Sequence, residues 1–394
     1  MPGSVIVSFA RTPIGKLSGA LGSLTAMELG GRAIQGALER GGVGPEQVDY
    51  VVMGHVLQGG QGQITARQAA ARAGIPMTVP ALTINKVCLS GLNAVYLADQ
   101  MIQAGDAEIV VAGGMESMTN APYLLPKARA GYRMGNGELL DSLIQDGLWC
   151  AFDAVHMGSG TERYTGRFGG LTREAQDEFA AKSHERAAVA QKEGRFADEI
   201  TPVQIPQRKG DPILVEEDEG VRPETTAESL GRLKPAFDAD GSITAGNASQ
   251  ISDGAAAIIV TSRSKAEELS LTPVAELVSF GMVAGPDTSL LRQPSRAIKR
   301  ALEPIDKTVS DLDLLELNEA FAAVGLASMK DLGISDDIVN VNGGAIALGH
   351  PIGMSGARVL LTLINELRRR GGGLGAAALC GGGGQGDAAI VRVA

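Results

Sequence analysis

A chain of 394 residues exceeds what one ordinary hydrophobic core covers, so two or three domains are expected. Its 44% apolar content, 53 glycines and 4% aromatics describe a globular α/β protein dense in tight turns. The net charge of -10 excludes a general nucleic-acid binder, which presents a basic face, and no uninterrupted apolar run is long enough to cross a bilayer.

Cys88, Cys150 and Cys380 show no paired spacing, which fits a reducing compartment. The stretch from Met1 to Phe9 carries neither a basic n-region nor a long apolar h-region, so no signal peptide is read and the cytoplasm is the expected location.

In chain order, Val5 to Ala10 reads as a strand and Arg11 to Gly15 as a turn. Helical periodicity runs from Thr25 to Arg40 and stops at Gly41-Gly42, and Val48 to Gly54 reads as a buried strand. An apolar segment, Val79 to Ile84, leads into the turn Asn85-Lys86-Val87-Cys88-Leu89-Ser90-Gly91, with a helix from Leu92 to Ala104 immediately behind. A thiol at a helix N-terminus meets unpaired N–H groups and the positive dipole end, which predicts a lowered pKa and a ready nucleophile. The competing reading of Cys88 is a small buried hydrophobe. Gly105-Asp106 closes the helix, and Ala107 to Gly114 is another buried strand. Strands alternating with helices imply a mainly parallel sheet covered on both faces.

From about Ala121 to Gly246 charge and proline increase, with one amphipathic helix from an N-cap at Thr172 to a stop near Gly194. The α/β rhythm resumes at Ser252 to Val260, and the second half then echoes the first. Asp313 to Asn318 resembles Asp49 to Gly54 at an offset of 313 minus 49, or 264. Gly353-Met354-Ser355-Gly356 ahead of a helix resembles Cys88-Leu89-Ser90-Gly91 at 353 minus 88, or 265. Two matches at nearly one offset indicate an internal duplication, with the charged middle inserted in the first copy.

The second copy has Gly353 where the first has Cys88, and it offers other chemistry: Asn318-Glu319-Ala320-Phe321, His350 in a glycine-dense loop, and Cys380 before Gly381-Gly382-Gly383-Gly384-Gln385-Gly386. Imidazole is the usual general base near neutral pH, and a histidine in a glycine-dense loop before a helix is less readily a satisfied core residue than one on an apolar helical face, so the functional and the core readings of His350 stand level. The glycine run formally matches a dinucleotide fingerprint, which must open a helix. Only eight residues follow Gly386 and they read as a strand, so the glycines instead let backbone approach a ligand and supply N–H donors.

Four blocks together, Asn85-x-x-Cys88-x-Ser90-Gly91, Asn318-Glu319-Ala320-Phe321, Gly349-His350-Pro351-Ile352-Gly353-x-Ser355-Gly356 and Cys380-Gly381-Gly382-Gly383, resemble the signature blocks of the thiolases, particularly those that condense acetyl-CoA. The resemblance covers essentially the whole chain, with Gly113 to Met118 and His156-Met157-Gly158 included. It implies a five-layered α/β/α/β/α thiolase fold from two duplicated halves: residues 1–120 with 247–271, a loop domain at 121–246 that covers coenzyme A, and residues 272–394. It also implies homodimers or homotetramers, with acyl-CoA and coenzyme A as partners, no cofactor beyond these substrates and no metal.

By the same resemblance, Cys88 takes the acyl group, His350 helps form its thiolate, and Cys380 removes the α-proton of the second acetyl-CoA or activates coenzyme A in cleavage. Asn318 orients a water that, with His350, holds one thioester oxygen, and the N–H groups of Cys88 and Gly382 hold the other. The coenzyme A residues it points to are His156, Met157, Arg222, Ser229, Phe237, Ala245 and Ser249, with Ala320 and Phe321 beside the acyl end. Arg208, Lys209, Arg222, Arg232 and Lys234 give the insertion a basic supply for phosphates, although a solvated charged face is the plainer reading of each but Arg222. Cys150, His55 and His184 match no family role.

Leu290-Leu291 stands where biosynthetic relatives usually have Met-Gly, Met354 where a small residue is common, and Gln385 where Met is common, which bears on acyl-chain preference. Three readings follow: a thiolase forming acetoacetyl-CoA, a 3-ketoacyl-CoA thiolase trimming longer chains in fatty-acid β-oxidation, and a non-catalytic lipid-binding protein of the same fold. The third should lack His350 or Cys380, and a ketoacyl synthase would carry histidines or His/Asn in place of Cys380.

Overall fold

The structure is a computed structural model that describes residues 4–394. β1 (Val5–Arg11) is buried along its whole length. α1 (Ala26–Gly41) is opened by a reciprocal cap between Thr25 and Glu28 and closed by Gly42 in the left-handed region at φ 63°. β2 (Tyr50–Gly54), α2 (Thr65–Arg72), β3 (Ala81–Ile84), α3 (Ser90–Ala104) and β4 (Ile109–Ser117) complete the first run. The insertion contributes α4 (Met157–Phe168) and α5 (Arg173–Lys192), the latter capped by Thr172. Then come β5 (Ser252–Thr261), β6 (Ala275–Ala284), α6 (Gln293–Leu302), β7 (Leu314–Leu317), α7 (Ala322–Leu332), α8 (Ser355–Arg369), β8 (Gly373–Gly381) and β9 (Gln385–Val393).

These strands lie in the order β7-β8-β9-β6-β1-β5-β4-β2-β3. Two sheets meet where β1 and β6 share two residue pairs, Val5 with Glu276 and Ile6 with Ala275. Counted outward from that joint, the halves show the same succession, β1-β5-β4-β2 and β6-β9-β8-β7, so the repeat seen in sequence is also a repeat of topology. The sheet is mixed rather than mainly parallel: among these strands β2 with β3, β2 with β4, and β7 with β8 are parallel. The last strand of each half returns antiparallel, after the long insertion in one copy and through a tight turn in the other. Strand and helix alternation carries no information about that return direction.

α3 and α8 pack against each other between the sheets, and α8 is buried from Ser355 to Leu367. α1 and α2 cover the outer face of the first sheet over Leu29, Ile34, Val51 and Ile259, while α6 and α7 cover the second over Ile298, Leu302, Leu315 and Ile390. A central cluster with Leu92, Val95, Leu360, Ile364 and Leu379 runs between. These are the five layers, each joint held by burial of branched side chains at about 1.5–3 kcal/mol apiece. The central helices begin in contact. A Cβ on Gly356 would lie 2.2 Å from Leu92 N, and one on Gly91 would lie 2.7 Å from Ala357 N, so glycine at these equivalent positions lets the two preceding loops touch. The insertion is anchored at Arg11, fully buried, whose guanidinium reaches Glu199 and Asp218 at 2.7 Å each.

Candidate active site

Cys88 stands in a turn held by its own neighbours. Asn85 Oδ1 accepts the Val87 N–H at 2.9 Å, the Lys86 N–H donates to Ser90 Oγ at 2.8 Å, and Ser90 Oγ donates to Val87 O at 2.6 Å. Lys86 Nζ ties the turn to both carboxylate oxygens of Asp387 on β9 at 2.8 Å. The β-branched Val87 is thereby held at φ 51°, a left-handed conformation that costs about 1–3 kcal/mol and persists only where surroundings over-determine it. The Cys88 sulfur packs with Val56, Leu57, Met118, Leu143 and Ile352, and meets the N–H groups of Cys88 itself and Gly382.

Gly382 belongs to the turn between β8 and β9. A Cβ on Gly381 would lie 2.6 Å from Leu89 Cγ and one on Gly384 2.0 Å from Asp287 O, so the turn is wedged between the Cys88 segment and residues 287–288. The glycine run joins antiparallel strands and opens no helix, as its position in the sequence implies.

His350 arrives on the loop before α8. Its Nδ1 lies 2.6 Å from Ser355 Oγ, and Ser355 Oγ also lies 2.9 Å from Pro351 O. The serine has one proton, which the carbonyl accepts, so the imidazole donates from Nδ1 and leaves Nε2 bare. Nε2 accepts from Asn318 Nδ2 at 3.4 Å, and Asn318 Oδ1 is buried with no partner among the described residues. Next to Asn318, Glu319 accepts hydrogen bonds from Ser183 Oγ, Asn340 Nδ2 and the Ile346 N–H, which braces the block against α5 and the His350 loop. Cys380, near the end of β8, is buried with Leu290, Leu291, Ala320, Phe321 and Val324.

A cavity of about 510 Å³ is lined by His156, Met157, Arg222, Phe237, Ala245, Ser249, Ala320 and Phe321, with His350 and Ile352. Ala320 and Phe321 also pack in the Cys380 cluster, and Met118 and Ile352 in the Cys88 cluster, so residues packed around each cysteine line the same cavity. His156 stacks on Phe237 with centroids 4.8 Å apart, and Phe237 meets Phe321 edge-on at 6.3 Å. Ser229 lies away from this wall, exposed and capping a short helix through Thr226. Of the basic residues named from the insertion, Arg222 alone lines the cavity; Arg232 is paired with Glu228 on the surface.

Sequence reasoning missed Lys16, a second cation in the cavity wall, and Gln250, whose Nε2 lies 2.9–3.1 Å from Gly220 O, Ile346 O and Ala347 O while its backbone carbonyl accepts the His350 N–H. It also gave Ser355 no role, although a hydroxyl five residues after a candidate base, at a helix start, was a usable signal. Cys150 is buried in the short pairing of Trp149–Cys150 with Val155–His156, and His184 accepts the Arg222 N–H at 3.2 Å.

The lowered thiol pKa expected for Cys88 does not hold. Burial pushes it up to about 12 and the Glu116 carboxylate adds to the rise, outweighing the two N–H contacts. Leu89, not Cys88, occupies the N-cap of α3, so the cysteine stands outside the helix end. Burial raises Cys380 further, with Cys88 adding to the rise. Burial also drops His350 to about 3, aided by Arg358. The resting set is therefore two thiols and a neutral imidazole.

Two thiols, a bare imidazole nitrogen and N–H donors beside such a cavity suit acyl transfer through sulfur. The thiolase N-terminal domain matches residues 4–264 and the thiolase C-terminal domain residues 271–393, and the chain belongs to the thiolase family. A Mycolicibacterium smegmatis protein named "Probable acetyl-CoA acetyltransferase" is 58% identical across 98% of this chain and 100% of its own length. The acetyl-CoA acetyltransferase of Cupriavidus necator is 54% identical over 98% of both chains. The crystal structure of the Bacillus anthracis acetyl-CoA acetyltransferase superposes with a TM-score of 0.97 at 43% identity, covering 100% of this chain and 99% of that one.

Proposed function

We propose that the protein is an acetyl-CoA C-acetyltransferase, which condenses two acetyl-CoA to acetoacetyl-CoA and coenzyme A and runs the reaction in reverse. The observation that supports this reading is the convergence on one cavity of His350 and of residues packed around Cys88 and around Cys380, from three separate segments. In the first half, His350 Nε2 takes the Cys88 proton as the sulfur attacks the thioester carbon, and the Cys88 and Gly382 N–H groups hold the developing oxyanion. The carbon–sulfur bond to coenzyme A breaks, and the departing thiolate takes the Cys380 proton. In the second half, the Cys380 thiolate removes the α-proton of a new acetyl-CoA, and its enolate oxygen is held by protonated His350 and a water oriented by Asn318. The carbanion attacks the acetyl group on Cys88, and the expelled Cys88 sulfur recovers its proton from His350.

The neutral resting site supports such a cycle, because Cys88 gives up its proton only as it attacks the thioester, and the Cys380 thiolate and protonated His350 left between the halves balance in charge. His156, Phe237 and Phe321 offer an aromatic wall for the pantetheine arm, with Arg222 and Lys16 toward the phosphates. The names of the full-length relatives and the burial of Leu290 and Leu291 beside Cys380 favour a two-carbon acyl group over longer chains. We also propose self-association into a homodimer or homotetramer, supported by exposed Tyr123, Leu125, Tyr132, Met134 and Leu139 on the insertion. A cytoplasmic location is proposed with it; among the described residues no helix is long and apolar enough to cross a membrane.

The test is thiolysis of acetoacetyl-CoA against a six-carbon 3-ketoacyl-CoA. A clear preference in kcat/KM for acetoacetyl-CoA is expected, and a preference for the longer substrate would overturn the assignment.

A further inference from the structure

Glu116, at the end of β4, is fully buried, and its carboxylate accepts three backbone N–H groups. Oε2 accepts from Val56 at 3.0 Å and Gly353 at 2.9 Å, and Oε1 from Leu57 at 3.1 Å. Val56 and Leu57 form the wall against which the Cys88 sulfur packs, whereas Gly353 follows His350 by three residues in the other half of the chain. A Cβ on Gly353 would lie 2.8 Å from Oε2, so the loop passes as near the carboxylate as backbone can. His55 Nε2 stands 3.3 Å from Oε1, with its Nδ1 2.9 Å from Thr65 Oγ1.

We infer that Glu116 is a positioning residue, a buried carboxylate that clamps the wall of the Cys88 pocket to the loop carrying His350 and so fixes nucleophile and base relative to each other. The inference rests on the acyl-transfer reading for its kinetic part only. The groups facing this carboxylate are His55, Asp253 on β5 and Cys88. Burial pushes the Glu116 carboxyl up to about 7 against its three N–H donors, and above that pH its negative charge opposes thiolate formation at Cys88, so electrostatics alone would favour a neutral residue here. A charge kept where it hinders ionisation is explained by its geometry, since a carboxylate has lone pairs enough for three N–H donors and an amide does not.

The test compares Glu116→Gln, which removes charge, with Glu116→Asp, which keeps charge and shortens reach. Both should lose tenfold or more in kcat with KM for acetyl-CoA within twofold of the parent. Alkylation of Cys88 by iodoacetamide at pH 8, read on its peptide by mass spectrometry, should speed up at least threefold in Glu116→Gln and stay within twofold in Glu116→Asp. A kcat within twofold of the parent in both variants, or an alkylation rate that falls with kcat in both, would overturn the inference. Should neither variant fold, hydrogen exchange of the parent protein decides: residues 55–58 and 352–354 should open as one unit, and independent opening overturns the clamp. The alkylation and exchange results do not depend on what substrate the enzyme takes, so they separate this inference from the assigned reaction.

Discussion

Replacing Ser355 with alanine removes the acceptor that fixes which nitrogen of His350 carries the proton. The pair is 2.6 Å apart and Ser355 is 1% exposed, so no solvent replaces the lost oxygen. Leaving a buried N–H without its acceptor costs about 1–3 kcal/mol. The imidazole escapes that cost by moving its proton to Nε2, the nitrogen that must be bare to deprotonate Cys88. Either route subtracts from the reactive state, and at about 1.4 kcal/mol per decade the expected loss in kcat is roughly 5- to 150-fold. KM for acetoacetyl-CoA should change little, because Ser355 does not line the cavity. Steady-state thiolysis measures the rate, and nitrogen NMR of labelled histidine reads the tautomer directly. A kcat within twofold of the parent together with an unchanged Nδ1–H signal would refute the reasoning.

Asn318→Ala should slow turnover by about 3–4 kcal/mol in barrier height, the value of one oxyanion donor, with a smaller change in thermal midpoint; equal losses of rate and stability would contradict its role. Leu291→Ala, in the cluster with Cys380 and bordering a second cavity of about 470 Å³ beyond it, should cost about 2–5 kcal/mol of stability and shift the kcat/KM ratio toward longer 3-ketoacyl-CoA. An unchanged ratio would remove Leu291 from the account of specificity. Burial drops His55 from 6.5 to about 4, so the stability tied to its neutral form is complete above pH 6.5 and is lost as pH falls toward 4, at up to about 1.4 kcal/mol per pH unit. Urea midpoints of His55→Gln should therefore fall less steeply than those of the parent across that window, and parallel curves would show that His55 is not buried neutral.

The duplication was legible because its two traces are local: a strand opened by an aspartate and a Ser-Gly pair at a helix start recur at nearly one offset. Gly91 and Gly356 show why that pair is retained in both copies, since the helix starts touch there. The return direction of β5 and β9 was not legible, because it depends on what the connection does rather than on periodicity. At the site, Cys88, His350 and Cys380 stood out as reactive residue types in glycine-dense turns, while Ser355 and Glu116 act through contacts between distant segments and leave no local pattern. The thiol pKa of Cys88 was misread for the same reason. A helix start is visible in sequence, but the desolvation by Val56, Leu57, Leu143 and Ile352 that outweighs it comes from three places in the chain.

The most direct test of the two-sulfur cycle is mass spectrometry of peptides from variants mixed with acetyl-CoA. Cys380→Ala should accumulate one acetyl group on Cys88 and form no acetoacetyl-CoA, and Cys88→Ser should carry none. An acetyl group retained on another residue in Cys88→Ser, or full condensation by Cys380→Ala, would contradict the account.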